Sequence, residues 1–142
     1  MRLVIDTNTL ISGTLWDGAP ARLVEAMEAG HVRLVLSAEL LAEFADVAGR
    51  DKLAKRLALR EVTPRKLIDR LARKAETVLP ASIPLPPELR DPKDLKVLAA
   101  AVAGKVDAIV TGDDDLKSMN SFQGIPILET RVVLEMLGIP AE

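Results

Sequence analysis

The chain contains no cysteine and no tyrosine, and it has only two phenylalanines and one tryptophan. The absence of cysteine excludes disulfides, thiolate catalysis and cysteine-based zinc sites. Because 49% of the residues are hydrophobic, the core has to be built from Leu, Val, Ile and Ala. Because aromatic side chains are scarce, stacking of bases on them cannot contribute much to any affinity for nucleic acid.

Long apolar runs are missing as well. None approaches the ~20 residues needed to span a bilayer, and the start MRLVIDTN lacks the basic and long apolar regions of a secretory signal. We therefore expect a cytoplasmic protein that does not associate with membranes. At 142 residues, the chain is most simply one domain, residues 1–142, which is long enough to bury a core of its own.

Short apolar runs alternate with amphipathic segments along the chain. Strands are predicted at 2–6, 32–36, 108–111 and 126–129, and helices at 21–29, 38–47, 51–59, 63–76, 91–103 and 130–138. Ser37, Thr63 and Thr130 are suited to cap the helices that follow them. Four prolines within 79–87 indicate an extended connector. The alternation predicts an α/β fold, with a mainly parallel sheet covered by helices on both faces.

Acidic side chains recur where predicted strands end or on helices beside them. Asp6 follows the first strand, Glu43 and Asp94 lie on predicted helices, and Asp113 to Asp115 follow the strand at 108–111. In a parallel sheet, ligands gather beyond the carboxyl ends of the strands. Carboxylates that share a cleft raise one another's pKa values, and a hard divalent cation such as Mg²⁺ or Mn²⁺ relieves that repulsion.

Each acidic position also has a purely structural interpretation. Asp6 could cap the backbone N–H groups that follow it. Glu43 lies at the edge of the buried stripe of its helix and could pair with an arginine. Asp91 and Asp94 are both favoured at a helix start by free N–H groups and the helix dipole. Of the run Asp113 to Asp115, we expect one or two side chains to face the cleft and the others to face water.

Residues 50–74 form a strongly basic segment. Ten basic side chains stand against three acidic ones, which gives a local charge of +7 in a chain whose net charge is −2. Attraction of a phosphate backbone is one use for such a surface, and a pair of helices with solvated charges is the structural alternative. The side chains predicted to contact RNA are Arg50, Lys52, Lys55, Arg56, Arg65 and Arg70.

Four segments together resemble the PIN-domain ribonucleases, especially the prokaryotic toxin components of toxin–antitoxin pairs. These segments are VIDTN, LSAELLAEF, RDPKDLKVLAAAVAGKVDAIVTGDDDL and FQGIPILET. The resemblance implies a three-layer α/β/α sandwich with a central, mainly parallel sheet. It also implies cleavage of RNA that depends on Mg²⁺ or Mn²⁺.

The resemblance further implies roles for individual residues. The family's catalytic quartet falls on Asp6, Glu43, Asp94 and Asp113. The implied metal ligands are Asp6, Asp94, Asp113 and Asp115, and the implied supporting residues are Asn8 and Thr111. Glu43 could be a ligand or a base that orients water, and both roles stay open. Relatives usually have Asn or Asp after the third acid, where this chain has Leu95.

The predicted function is therefore a metal-dependent ribonuclease that acts as a toxin, with a small antitoxin as partner and a homodimer as the expected assembly. One alternative is an RNA-processing nuclease without a toxin role. Another is a catalytically weak PIN-like module that binds RNA or protein, which Leu95 favours. A Mg²⁺-dependent phosphohydrolase is disfavoured, because Asn8 stands where that class would place a second aspartate.

Overall fold

The computed structural model describes residues 1–141 and contains one six-stranded sheet with the order β3-β2-β1-β4-β6-β5. The strands are β1 (Arg2–Ile5), β2 (Arg33–Leu36), β3 (Glu76–Thr77), β4 (Ala108–Val110), β5 (Ser121–Phe122) and β6 (Ile125–Leu128). All neighbouring pairs are parallel except β5 and β6, which are antiparallel. The predicted α/β fold with a central, mainly parallel sheet is confirmed.

Within residues 1–141, eight helices connect and cover these strands. They are α1 (Thr7–Leu15), α2 (Ala19–Glu28), α3 (Ala38–Ala48), α4 (Asp51–Leu59), α5 (Pro64–Lys74), α6 (Leu95–Gly104), α7 (Asp114–Lys117) and α8 (Thr130–Leu137), and a 3-10 turn at Pro92–Asp94 precedes α6. The core is aliphatic, as expected, and Phe44 is the aromatic side chain buried within it. No helix of the described residues is long and apolar enough to cross a membrane.

Two of the three predicted helix caps are confirmed. The Ser37 hydroxyl accepts a hydrogen bond from the Leu40 N–H at 3.2 Å, and the Thr63 hydroxyl does the same for Lys66 at 3.2 Å. The third prediction is wrong, because Thr130 is the first residue of α8 and no side chain caps that helix. Connector residues 79–87 form no helix or strand, as predicted.

Helix α1 has no counterpart in the sequence prediction, which assigns no helix to residues 7–15. Its sequence TNTLISGTL contains three threonines and a glycine, so its intrinsic helix propensity is low. Packing against α2 offsets this weakness. A Cβ atom at Gly13 would lie 2.5 Å from the Pro20 carbonyl oxygen, so glycine is what permits the close approach of the two helices. The short elements β3, α7 and β5 are also absent from the prediction, because they are too brief to produce a periodic pattern.

The remaining differences are shifts of element ends. The strands predicted at 2–6 and 108–111 each end one residue earlier, and the helix predicted at 21–29 begins earlier, at Ala19. The helix predicted at 91–103 divides into the 3-10 turn and α6. These shifts matter for the site, because they make Asp6 and Thr111 the first residues beyond their strands.

Candidate metal centre

Three neighbouring strands end in register at one edge of the sheet. Ile5 pairs with Val110, and Val110 pairs with Leu128. Beyond this row, the Asp6 N–H donates to the Val110 carbonyl oxygen at 3.1 Å. The Thr111 N–H likewise donates to the Leu128 carbonyl oxygen at 3.0 Å. The backbone therefore places the residues after β1 and β4 side by side.

Asp6 is buried at this edge, and both of its carboxylate oxygens have partners. Its Oδ1 accepts a hydrogen bond from the Thr9 N–H at 2.9 Å and so caps α1. Its Oδ2 accepts a hydrogen bond from the Thr111 hydroxyl, which is fully buried. The structural interpretation of Asp6 as a cap is therefore correct, and the same contacts fix its carboxylate at the strand edge.

Thr111 extends this network to Asp113. The Thr111 hydroxyl oxygen accepts a hydrogen bond from the Asp113 N–H at 2.9 Å. The Asp113 carboxylate in turn accepts from the Asp115 N–H at 3.0 Å, which caps the short helix α7. Asp6 and Asp113 are thus both hydrogen-bonded to the Thr111 hydroxyl group. Neither acid has a cationic side chain within 4.0 Å among the described residues.

Asp94 joins this group from the 3-10 turn that precedes α6. The pKa of Asp94 is raised from 3.8 to about 7. Burial is the largest cause, followed by the negative charges of Asp113 and Asp91, a side-chain hydrogen bond with Asp113, and the negative charge of Asp6. The Oδ2 atom of Asp94 is buried and has no hydrogen-bond partner among the described residues. Asp6, Asp94 and Asp113 therefore act on one another electrostatically.

The donor chemistry of this cluster fits a hard divalent cation. Its atoms are carboxylate oxygens, its charge is negative, and one buried oxygen lacks a partner. As they stand, no three His, Cys, Asp or Glu side chains within residues 1–141 converge closely enough to hold a metal ion. Side chains of the cluster would have to rotate around a bound cation to complete its coordination.

A cleft of about 520 Å³ opens beside the cluster. Its polar lining includes Asp6, Asn8, Thr9, Ser12, Thr111, Asp113, Glu129, Thr130 and Arg131. Glu129 does not add to the unpaired acids, since the Lys117 ammonium lies 2.7 Å from its carboxylate. Hydrogen bonds with Glu129 and Asp114 raise the pKa of Lys117.

A second cavity of similar size, about 530 Å³, lies between α1, α2 and α5 and contains none of the predicted acids.

Two predicted site residues have cationic partners instead. Glu43 is half-buried, and its carboxylate lies 2.9 Å from the Lys96 ammonium. Asp115 lies 3.7 Å from the Arg90 guanidinium. The contacts of Glu43 connect it to α6 and not to the three aspartates, so its catalytic role and the ligand role of Asp115 stay predictions. Leu95 packs against the core.

The basic segment forms helices α4 and α5, which both contact α3. Their apolar side chains Leu57, Leu67 and Leu71 are buried, and the six predicted RNA contacts are exposed. Three of the six have partners: Arg50 lies 3.4 Å from Asp46, Arg70 lies 4.0 Å from Glu28, and Arg56 lies over the Trp16 ring at 5.5 Å. The other three are Lys52, Lys55 and Arg65, which have no ion pair in the described part of the chain.

Sequence reasoning missed five polar residues of the cleft lining: Thr9, Ser12, Glu129, Thr130 and Arg131. A signal for the last three was present, because the strand predicted at 126–129 brings the following residues to the edge where Asp113 lies. Thr9 and Ser12 could not be found in this way, since their positions depend on α1. The single histidine, His31, is exposed and does not line this cleft.

The comparison with known protein families gives a match. A family model described as "PIN domain" matches residues 2–115 of the chain. The matched region contains β1 to β4 and the five acids predicted from the sequence, of which Asp115 is its last residue. No curated protein is similar enough to count as a match.

Proposed function

The chain belongs to the PIN-domain family, whose members are generally nucleases, and on this basis we propose that it is a Mg²⁺- or Mn²⁺-dependent ribonuclease. The observation that carries the proposal is Asp94, a half-buried acid surrounded by other acids, with one buried oxygen left without a partner. The charged form of a carboxylate in such surroundings is disfavoured, and a bound cation would compensate it.

Asp6, Asp94 and Asp113 would hold the cation, and Asp115 is a further candidate. A bound divalent ion polarises a scissile phosphate and lowers the pKa of bound water. The protein's part is to fix the donors. The Thr9 N–H and the Thr111 hydroxyl orient Asp6, and the N–H of Asp115 orients Asp113.

Glu43 keeps two possible roles in this proposal. It would either complete the ligand set or orient the attacking water as a base. Its pairing with Lys96 at 2.9 Å holds its carboxylate at the α3–α6 boundary. The choice between the two roles depends on whether that ion pair persists when substrate is bound.

Assays of cleavage test the proposal. The purified protein should cleave RNA in Mn²⁺, lose this activity in EDTA, and lose it on Asp6→Asn substitution. Hydrolysis of a small phosphomonoester without RNA cleavage would favour the phosphohydrolase. Binding of RNA without cleavage in any divalent metal would favour the binding module.

The basic helices supply a proposed approach surface for RNA. The double substitution Lys52→Gln and Lys55→Gln should make the dependence of log K on log salt less steep by ~1.4, because each cation that pairs with a single-strand phosphate contributes about 0.7 to that slope. The matched control is Arg33→Gln with Lys105→Gln, two exposed cations that lie outside residues 50–74. Equal slopes for the two pairs would contradict this use of the basic surface.

The biological setting is part of the same proposal. We place the protein in the cytoplasm as the toxin of a toxin–antitoxin pair, neutralised by a small antitoxin and assembled as a homodimer. A small adjacent reading frame whose product suppresses the ribonuclease activity would support this role. A nuclease without such a neighbour would instead fit the alternative of RNA processing.

A further inference from the structure

Three side chains lie at equivalent positions beyond the aligned strand ends. Ile5, Val110 and Leu128 form one row across β1, β4 and β6. The residues three positions further along the chain are Asn8, Asp113 and Arg131, and all three line the cleft of about 520 Å³. Alignment of the strands therefore puts an amide, a carboxylate and a guanidinium around one opening.

Arg131 differs from several other arginines of the protein. Arg2, Arg22 and Arg90 each have a carboxylate within 4.0 Å. Arg131 has none among the described residues, although Asp113 and other acids line the same cleft. Its side chain is exposed, so its five N–H donors can reach a ligand.

The neighbours of Arg131 are also available. The side chains of Asn8 and Ser12 line the cleft and make no hydrogen bond with another of the described residues. An amide and a hydroxyl can each donate to a phosphate oxygen, and an arginine fork matches two such oxygens at once. The cleft therefore combines carboxylates with donors that are not committed to other partners.

We propose that Arg131, assisted by Asn8 and Ser12, binds a backbone phosphate of RNA in this cleft, beside the carboxylate cluster. The inference rests on the proposed ribonuclease function and adds a substrate-positioning residue to it. The carboxylates repel a polyanion, so a substrate that reaches them needs a cationic contact close by. Arg131 supplies that contact from α8, which follows β6, on the opposite side of β4 from the Asp6 strand.

Binding without cleavage tests this role. Affinity for a short single-stranded RNA is measured by fluorescence anisotropy in EDTA, at several salt concentrations. Arg131→Gln should weaken binding about three- to tenfold and reduce the salt slope by ~0.7, because the variant cannot neutralise the phosphate. Arg131→Lys should keep the slope and lose part of the affinity, since it retains the charge but not the planar fork.

Arg33→Gln is the matched control. Arg33 is exposed, has no ion pair among residues 1–141, and begins β2, on the far side of β1 from the cleft. It should leave both affinity and slope unchanged. The two variants should unfold at the same temperature, because both arginines are exposed. If Arg131→Gln unfolded at a lower temperature, the RNA affinity of Arg131→Lys compared with that of the unmodified protein would test the phosphate contact instead.

A modified RNA locates the contact. Neutral methylphosphonate linkages are introduced one at a time, and each RNA is bound to the unmodified protein and to Arg131→Gln. At one linkage, neutralisation should weaken binding to the unmodified protein and have no further effect on the variant, which is the signature of a direct pair. Additive effects at every linkage would overturn the proposal.

Failure of this inference differs from failure of the proposed function. Equal binding by Arg131→Gln and Arg33→Gln would overturn the phosphate site, while metal-dependent cleavage by the unmodified protein would leave the ribonuclease standing. Weaker binding by Arg131→Gln together with no cleavage in any metal would support the phosphate site and overturn the ribonuclease. An unmodified protein that neither binds nor cleaves RNA would overturn both.

Discussion

Two half-buried carboxylates lie near the start of helix α6, and their surroundings are opposite. Glu43 extends from α3 to the Lys96 ammonium at 2.9 Å. Asp94, two residues before Lys96, is surrounded by Asp113, Asp91 and Asp6, and its pKa is raised to about 7. Burial is common to both positions. The two positions differ in the sign of the nearest charge, which is positive for Glu43 and negative for Asp94.

This difference indicates which acids are structural and which require a cation. An acid with a counter-ion is already compensated, and removing either partner costs more than the pair contributes. An acid among acids is compensated only by a proton or a metal ion. The described contacts give Glu43 a compensated position and give Asp94 an uncompensated one.

The largest effect is expected from substitution of a cluster acid. Asp113→Asn should reduce Mn²⁺-dependent RNA cleavage by at least about a hundredfold, because removal of even an outer-shell partner of a metal costs ~10–100-fold. The matched control is Asp114→Asn, whose side chain is 92% exposed and paired with Lys117. Similar activity for the two variants would remove the distinction between cluster and surface acids.

The next effect concerns stability in the absence of metal. Because the pKa of Asp94 is higher in the folded protein than its usual 3.8, its contribution to stability is fully present below pH ~4 and is lost as pH rises through about 7. The full shift corresponds to about 4 kcal/mol, which solvent screening at this partly exposed position reduces to about 1–2 kcal/mol.

Denaturant unfolding in EDTA measures this contribution. The unmodified protein should lose stability between about pH 4 and 7 relative to Asp94→Asn, which has no proton to lose. At about pH 8 the variant should therefore be the more stable of the two. Parallel pH profiles would show that the neighbouring acids do not disfavour the charged form of Asp94.

The smallest effect belongs to the paired acid. Lys96→Met should lower the free energy of unfolding by about 0.5–1 kcal/mol, because it leaves Glu43 without its counter-ion at a partly exposed site. Adding Glu43→Gln should recover part of that stability. A double-mutant cycle measures the coupling, and a coupling of zero would mean that the Glu43–Lys96 contact does not compensate the acid.

The sequence predicts the fold better than it predicts these partners. Strands, long helices and the acids at strand ends follow from local patterns. The Glu43–Lys96 contact does not, since it depends on how α3 packs against α6, and an arginine was the expected partner. Asp94 shows the same limit. Its local setting indicates only a favoured residue at a helix start, whereas its raised pKa arises first from burial and in part from Asp113 and Asp6, which are distant along the chain.

Helix α1 and Arg131 show where the remaining information lies. The weak helix propensity of residues 7–15 gives no local signal for α1, which is stabilised by the close packing against α2 that Gly13 allows. Arg131 belongs to no local sequence pattern. It lies in the same cleft as Asp113 because β4 and β6 end in register. Contacts between elements, rather than patterns within them, determine the composition of the cleft.

The most direct test of the central claim is the affinity for Mn²⁺, measured by calorimetry on the unmodified protein, Asp94→Asn and Glu43→Gln. We predict that the unmodified protein binds Mn²⁺, that Asp94→Asn weakens binding by at least about tenfold, and that Glu43→Gln weakens it less. Binding near pH 7 should also release protons, because Asp94 is partly protonated there without metal. Unchanged Mn²⁺ affinity in Asp94→Asn, or a greater loss of affinity in Glu43→Gln, would contradict the claim.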